Sequence, residues 1–202
     1  MVLGLAVLAG CQIPEVPEVA GSEVEIDPGY EANCPLEIAI LPVQSVLADH
    51  RDVLPTIRQG VYSQLIQKRY TALNLAYVDE EIDLLDAGGQ GDREIDFGRI
   101  RGQMEEDAML RVRLESFDTE PYHTRGRIVI GADWLLIDSQ SGEQLWRARV
   151  EEVVDMREER DVLTMKREYE PRAIELYVKS VLARLPDKVD RTGIDEAGTL
   201  PR

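Results

Sequence analysis

The chain is poor in the residues that most often carry chemistry. Two cysteines, Cys11 and Cys34, and two histidines, His50 and His123, are all that 202 residues contain. Their spacing matches no zinc or iron site, so no metal centre and no cofactor are expected. Basic residues are scarce as well: 23 Lys and Arg stand against 39 Asp and Glu, a net charge of −16. A surface of that sign repels phosphate backbones, which excludes nucleic acid as the expected partner. No apolar run approaches the ~20 residues of a membrane-spanning helix. What is present, 44% hydrophobic and 31% charged residues, suffices for one packed domain with tails.

The longest apolar run stands at the very start. Residues Val2 to Gly10 are apolar or small and stop at Cys11, after which the chain turns polar and acidic. That length fits the core of an export signal, about 7 to 15 residues. Leu8-Ala9-Gly10-Cys11 resembles the bacterial lipobox, in which small residues let a signal peptidase approach the backbone before a lipidated cysteine. The resemblance implies that residues 1–10 are a signal peptide and that Cys11 becomes the acylated first residue, the protein's link to the membrane. Gln12, where an Asp would signal inner-membrane retention, implies the periplasmic face of the outer membrane. No Lys or Arg precedes Val2, so the native start is expected upstream, or the chain has been shortened.

From residue 11 to 33 the chain carries Pro14, Pro17 and Pro28 among Glu15, Glu18, Glu23, Glu25 and Glu31. This composition predicts a disordered tether reaching up to roughly 60 Å if fully extended. The folded domain is expected over 34–186, followed by a disordered tail over 187–202. Its first strand is read in the run Leu36 to Leu41, bounded by Pro35 and Pro42, and its first helix after Asp52, with Ile57, Val61 and Leu65, and Tyr62 and Ile66, at spacings of four. Tyr70 to Val78 reads as a second strand parallel to the first. Short helices are expected around Glu80 to Asp86 and Phe97 to Glu105, flanking the loop Gly88-Gly89-Gln90-Gly91.

In the second half Leu110, Val112 and Leu114 alternate with Arg111, Arg113 and Glu115, the mark of a strand with one wet face. Arg127 to Asp138 is apolar on both faces, and Ser139-Gln140-Ser141-Gly142 turns the chain into Gln144 to Val150. Pro171 opens a helix whose stripe is Ile174, Tyr177, Val178, Val181, Leu182 and Leu185. The expected fold is therefore α/β (α+β): a single mixed sheet in the order β-α-β-(α)-β-β-β-α with helices packed on it.

Ile38-Ala39-Ile40-Leu41-Pro42, Ala108 to Val112, and the hairpin from Leu136-Ile137-Asp138 through Ser141-Gly142 to Leu145-Trp146 resemble bacterial envelope lipoproteins with a fold like the N-terminal domain of TolB. That group includes the curli-secretion lipoprotein, the Pel-export lipoprotein, activators of penicillin-binding proteins, and lipoproteins of unassigned role. The resemblance implies a non-enzymatic accessory protein that assembles with, or positions, an export or cell-wall machine. Its partner would be an envelope protein or a second copy of itself. The alternative is a polysaccharide- or peptidoglycan-binding module.

A search for catalytic groups supports the same direction. Ser139 and Ser141 have no histidine near them in sequence and suit turn residues, and the glycine loop lacks the Lys-Ser/Thr ending of a P-loop. The acidic run Glu151-Glu152, Asp155, Glu158-Glu159 and Asp161 lacks EF-hand spacing and reads as a solvated face. Cys34 reads as a buried or idle thiol, with an intermolecular disulfide as the alternative. Trp134 and Trp146 read as core anchors rather than sugar platforms. The remaining candidate is a stripe of Arg111, Arg113, Arg147 and Arg149 on one sheet face. As a partner contact it should tolerate Arg111→Glu with Arg147→Glu without unfolding; as a structural feature it should pair with Glu115, Glu151 or other acids.

Overall fold

A computed structural model describes residues 18–87, 94–121, 126–156 and 165–188. Strands β1 (Glu18–Ile26), β2 (Glu37–Ile40), β3 (Gln44–Ser45) and β4 (Thr71–Ala72) accompany three long strands, β5 (Ala108–Pro121), β6 (Gly126–Asp138) and β7 (Gln144–Met156). Helices are α1 (Leu54–Gln67), α2 (Leu75–Leu84), α3 (Phe97–Ile100) and α4 (Glu170–Leu182), the last entered through a π-helical turn at Met165–Tyr169. The strands form one mixed sheet in the order β1-β7-β6-β5-β2-β4, with β3 also on β5. The expected fold class and the β5-β6-β7 meander are thus present, and β4 runs parallel to β2.

Side-chain parity divides the sheet into two faces. Ile38 and Ile40 of β2, Leu110 and Val112 of β5, Trp134 of β6 and Trp146 of β7 meet Ile57, Val61 and Leu65 of α1 and the stripe of α4 in the main core. Trp134 donates from Nε1 to Tyr177 Oη at 3.2 Å, and that hydroxyl donates to the Val150 carbonyl at 2.9 Å. Both tryptophans are fully buried, which removes them as sugar platforms. On the opposite face Ala39, Leu41 and Met109 pack under Val78, Ile82 and Ile100 of the smaller helices. Arg58, from α1, is buried and caps the Ile40 carbonyl at 2.8 Å through Nη2 while Nη1 meets Asp79 at 2.7 Å.

Three local expectations are corrected. The strand read over 70–78 shrinks to Thr71–Ala72 because Asn74 caps a helix there, its Oδ1 accepting from Ala76 N at 2.9 Å and Tyr77 N at 3.3 Å. Helix α2 consequently begins at Leu75, earlier than the expected Glu80, and turns Val78 and Ile82 inward. The helix read over 97–105 is only Phe97–Ile100. Beyond it Gly102 takes φ +70° and Glu105 φ +60°, and the Glu106 carboxylate collects the amides of Gly102 and Met104 at 2.8 and 3.0 Å, closing a loop instead.

The largest correction concerns the tether. Residues 18–26 form β1, paired antiparallel with β7 from Glu18↔Val153 to Ile26↔Trp146. Glu23 and Glu25 lie opposite Arg149 and Arg147, so acids that look like disordered-chain composition are the partners of a basic strand. The chain after β1 is held too: Tyr30 and Tyr70 share a hydrogen bond at 2.7 Å, and Tyr70 donates to the Pro186 carbonyl at 2.7 Å. Burial pushes both phenols above their usual range. Cys34 is buried against this pair, out of reach of a second molecule. At the other end, Asp187 is engaged by Lys68. The signal segment, Cys11, the Gly88 to Gly91 loop, His123, Glu158, Glu159, Asp161 and the tail beyond 188 lie outside the described residues.

Candidate partner-binding surface

The four arginines of the stripe do share one sheet face, because β5 and β7 flank β6 and their odd-numbered residues in this region point away from the main core. What three of them hold is Asp133. Its side chain is only 5% exposed and lies directly opposite Arg113 on β5 and Arg149 on β7. Arg147 meets it as a fork, Nε to Oδ1 at 2.9 Å and Nη2 to Oδ2 at 3.2 Å. Arg111 Nη2 reaches Oδ2 at 3.2 Å, and Arg149 Nε reaches Oδ1 at 3.4 Å. The hydrogen bond to Asp133, reinforced by the charges of Asp133, Glu25 and Glu23, raises the Arg147 pKa. Arg111 also lies over the Phe97 ring, 5.5 Å from its centre.

Of the acids that could pair with the stripe, the hub is Asp133, neither Glu115 nor Glu151. A signal existed, since Asp133 is the single charged residue between Ile128 and Ile137. Arg111 and Arg147 therefore hold the sheet together, and reversing both to Glu would set three carboxylates against one another with little water between them. The expectation that this double change spares the melting temperature is withdrawn. Arg113 is exposed and Arg149 keeps 53% of its side chain in solvent, so these two remain available to a partner.

Next to this row the face is hollowed by glycine. Gly21, Glu151, Gly131 and Ser116 follow one another across four strands. A Cβ at Gly131 would collide with Ser116 Oγ, which donates to Glu151 at 2.9 Å. A shallow groove of about 480 Å³ results, with Glu23, Arg149 and Glu115 on its rim. A second groove of about 570 Å³ runs between α1 and α4, lined by amides and hydroxyls such as Gln59, Ser63 and Gln67.

The turn that carries the family-like hairpin is built for geometry. Asp138 Oδ1 accepts from the amides of Gln140 and Ser141 at 3.0 and 2.6 Å and from Ser141 Oγ at 2.9 Å. Burial would raise its pKa, but these bonds and the charge of Arg101 outweigh it and hold the carboxyl below its usual range. Gly142 follows with φ +78°, a conformation costly for other residues. Asp138 and Gly142 are turn-forming groups, and Ser141 serves its own backbone. His50 packs against Phe117 with ring centres 5.0 Å apart and planes tilted by 46°, and among the described residues no group of His, Cys, Asp and Glu is placed to hold a metal ion.

One member of the acidic run departs from the expected solvated face. Glu152 is 0% exposed because it shares the inward parity of Ala148 and Val150. Ser180 Oγ donates to its Oε1 at 2.6 Å and Arg184 Nη2 at 3.1 Å. Burial raises its pKa above 4.5, against the pull of Ser180 and Arg184. A raised carboxyl stabilises the folded state when protonated and loses that contribution as pH climbs through its folded value. Glu152→Gln should therefore gain stability relative to the parent as pH rises from about 4 to 7. Urea midpoints across that range will show it; a constant difference would mean Glu152 titrates alike in both states.

These features define a class: a sheet-and-helix module whose charged groups brace a surface. In sequence, the chain matches no protein-family model and no curated protein. In structure, it resembles the PelC dodecamer from Paraburkholderia phytofirmans at a TM-score of 0.53 and 14% identity, over 82% of this chain and 96% of that one. It resembles lipoprotein GNA1162 from Neisseria meningitidis at a TM-score of 0.52 and 17% identity, over 75% and 98%. The chain thus has the fold of the lipoprotein group that its hairpin resembles.

Proposed function

We propose that this protein is a lipid-anchored, non-enzymatic accessory component of the bacterial envelope, held at the periplasmic face of the outer membrane through Cys11. It would assemble with itself or with an envelope protein to position an export or cell-wall machine. The observation that carries this reading is the fold, shared over most of the chain with a dodecamer and with a lipoprotein. The lipobox supports it independently. Because β1 begins at Glu18, the seven residue-to-residue steps from Cys11 to Glu18 bridge at most roughly 25 Å. The domain would then ride close against the bilayer, far nearer than a tether ending at residue 33 allows. Acyl chains contribute about 0.8 kcal/mol per buried methylene, and two or more anchor stably.

Cys11→Ser tests the proposal. The protein should move from the membrane to the periplasmic fraction while keeping its melting temperature, and light scattering on the released form should show a mass above the 22.8 kDa of one chain. Retention in the membrane would sink the lipid anchor, and a strict monomer would sink self-assembly.

A further inference from the structure

We infer that the outer edge of β1 is a docking site for an extended segment of a partner protein that carries Lys or Arg at alternate positions. Strand β1 closes the sheet order at one end, and nothing lies beyond it among the described residues. Every side chain from Gly21 to Ile26 is exposed, including Val24 at 37% and Ile26 at 48%. Asp27 N donates inward to the Leu145 carbonyl at 3.0 Å. Hydrogen-bonding direction alternates along a strand, so Ser22, Val24 and Ile26 turn their own N–H and C=O groups outward. A long, unpaired edge with apolar side chains invites another strand.

The charge pattern says which strand. The row Arg113, Asp133, Arg149, Glu23 crosses β5, β6, β7 and β1 with alternating sign, each pair directly opposite. The next row ends Arg147, Glu25. A strand added outside β1 continues the alternation when it presents a cation beside Glu23 and another beside Glu25, with apolar residues between them covering Val24 and Ile26. A second copy of β1 is disfavoured, since it brings Glu18, Glu23 and Glu25 to a chain that already carries −16.

Fluorescence anisotropy with the full chain tests this. The probe is a labelled nonapeptide alternating lysine and valine, compared with one alternating glutamate and valine, and with the lysine peptide N-methylated at every second amide. The lysine peptide should bind at least tenfold more tightly than either. Glu23→Lys with Glu25→Lys should reverse the preference. Val24→Pro removes an outward donor and no ladder bond, so it should abolish binding with the melting temperature kept within a few degrees. Equal binding of the N-methylated peptide would reduce the effect to charge attraction and overturn the inference. So would no binding of the lysine peptide, or a β1 edge found occupied by a second copy of the chain.

Discussion

Asp133→Ala should destabilise the protein by about 3 kcal/mol, the low end of the cost of stripping one partner from a buried charge network. The low end applies because Arg111, Arg147 and Arg149 keep 16%, 29% and 53% of their side chains in solvent and can relax toward it. Without the carboxylate, three guanidinium groups on the two strands flanking β6 repel one another across the middle of the sheet. Two-state urea unfolding gives the number directly. A cost below about 1 kcal/mol would return the arginines to the status of a solvated stripe. A sharper form is the pair Asp133→Leu with Arg147→Met. If the network is charge-coupled, the double change costs less than the sum of the single ones, because Arg147→Met removes one of the three guanidinium groups that Asp133→Leu leaves unpaired.

Trp146→Ala should cost about 3 to 5 kcal/mol, against a typical total of about 5 to 15. The ring is fully buried in the main core, and close packing there limits how far the neighbours can collapse into the cavity. The indole offers a finer test. Trp146 Nε1 is buried with no hydrogen-bond partner among the described residues, whereas Trp134 Nε1 is bound by Tyr177. Trp146→Phe sheds an unsatisfied donor along with some volume; Trp134→Phe breaks the bond to Tyr177 and leaves that buried hydroxyl with only its bond to the Val150 carbonyl. The Trp134 change should therefore be the worse of the two. The reverse order, measured by thermal melting, would contradict the assigned hydrogen bond.

Both predictions rest on groups whose roles are unequally visible in the amino-acid order. Trp146 shares a parity with Ala148 and Val150, so its burial follows from alternation alone. Asp133 is different. Its isolation inside an apolar run flags it, but only the register of β6 against β5 and β7 brings three arginines onto it. Likewise Glu151 and Glu152 are identical neighbours in sequence, and strand parity alone puts one at the rim of a groove and the other under α4. The reading of 70–78 failed for a more local reason: a β-prone run of Tyr, Leu and Val outweighed Asn74, whose capping bond decides the matter in the structure.

The sequence by itself determined what depends on near neighbours: the α4 stripe repeating at helical spacing, the alternation of β5, and the Asp138 to Gly142 turn. These follow from periods of two and 3.6 residues and from backbone preferences that act over a few positions. Tertiary structure decided the rest. Residues 18–26, too polar and too proline-flanked to order themselves, become a strand only because β7 offers them a ladder and two arginines more than a hundred residues away. Such pairing is non-local, and its free energy is absent from any window of sequence that contains only one of the two strands.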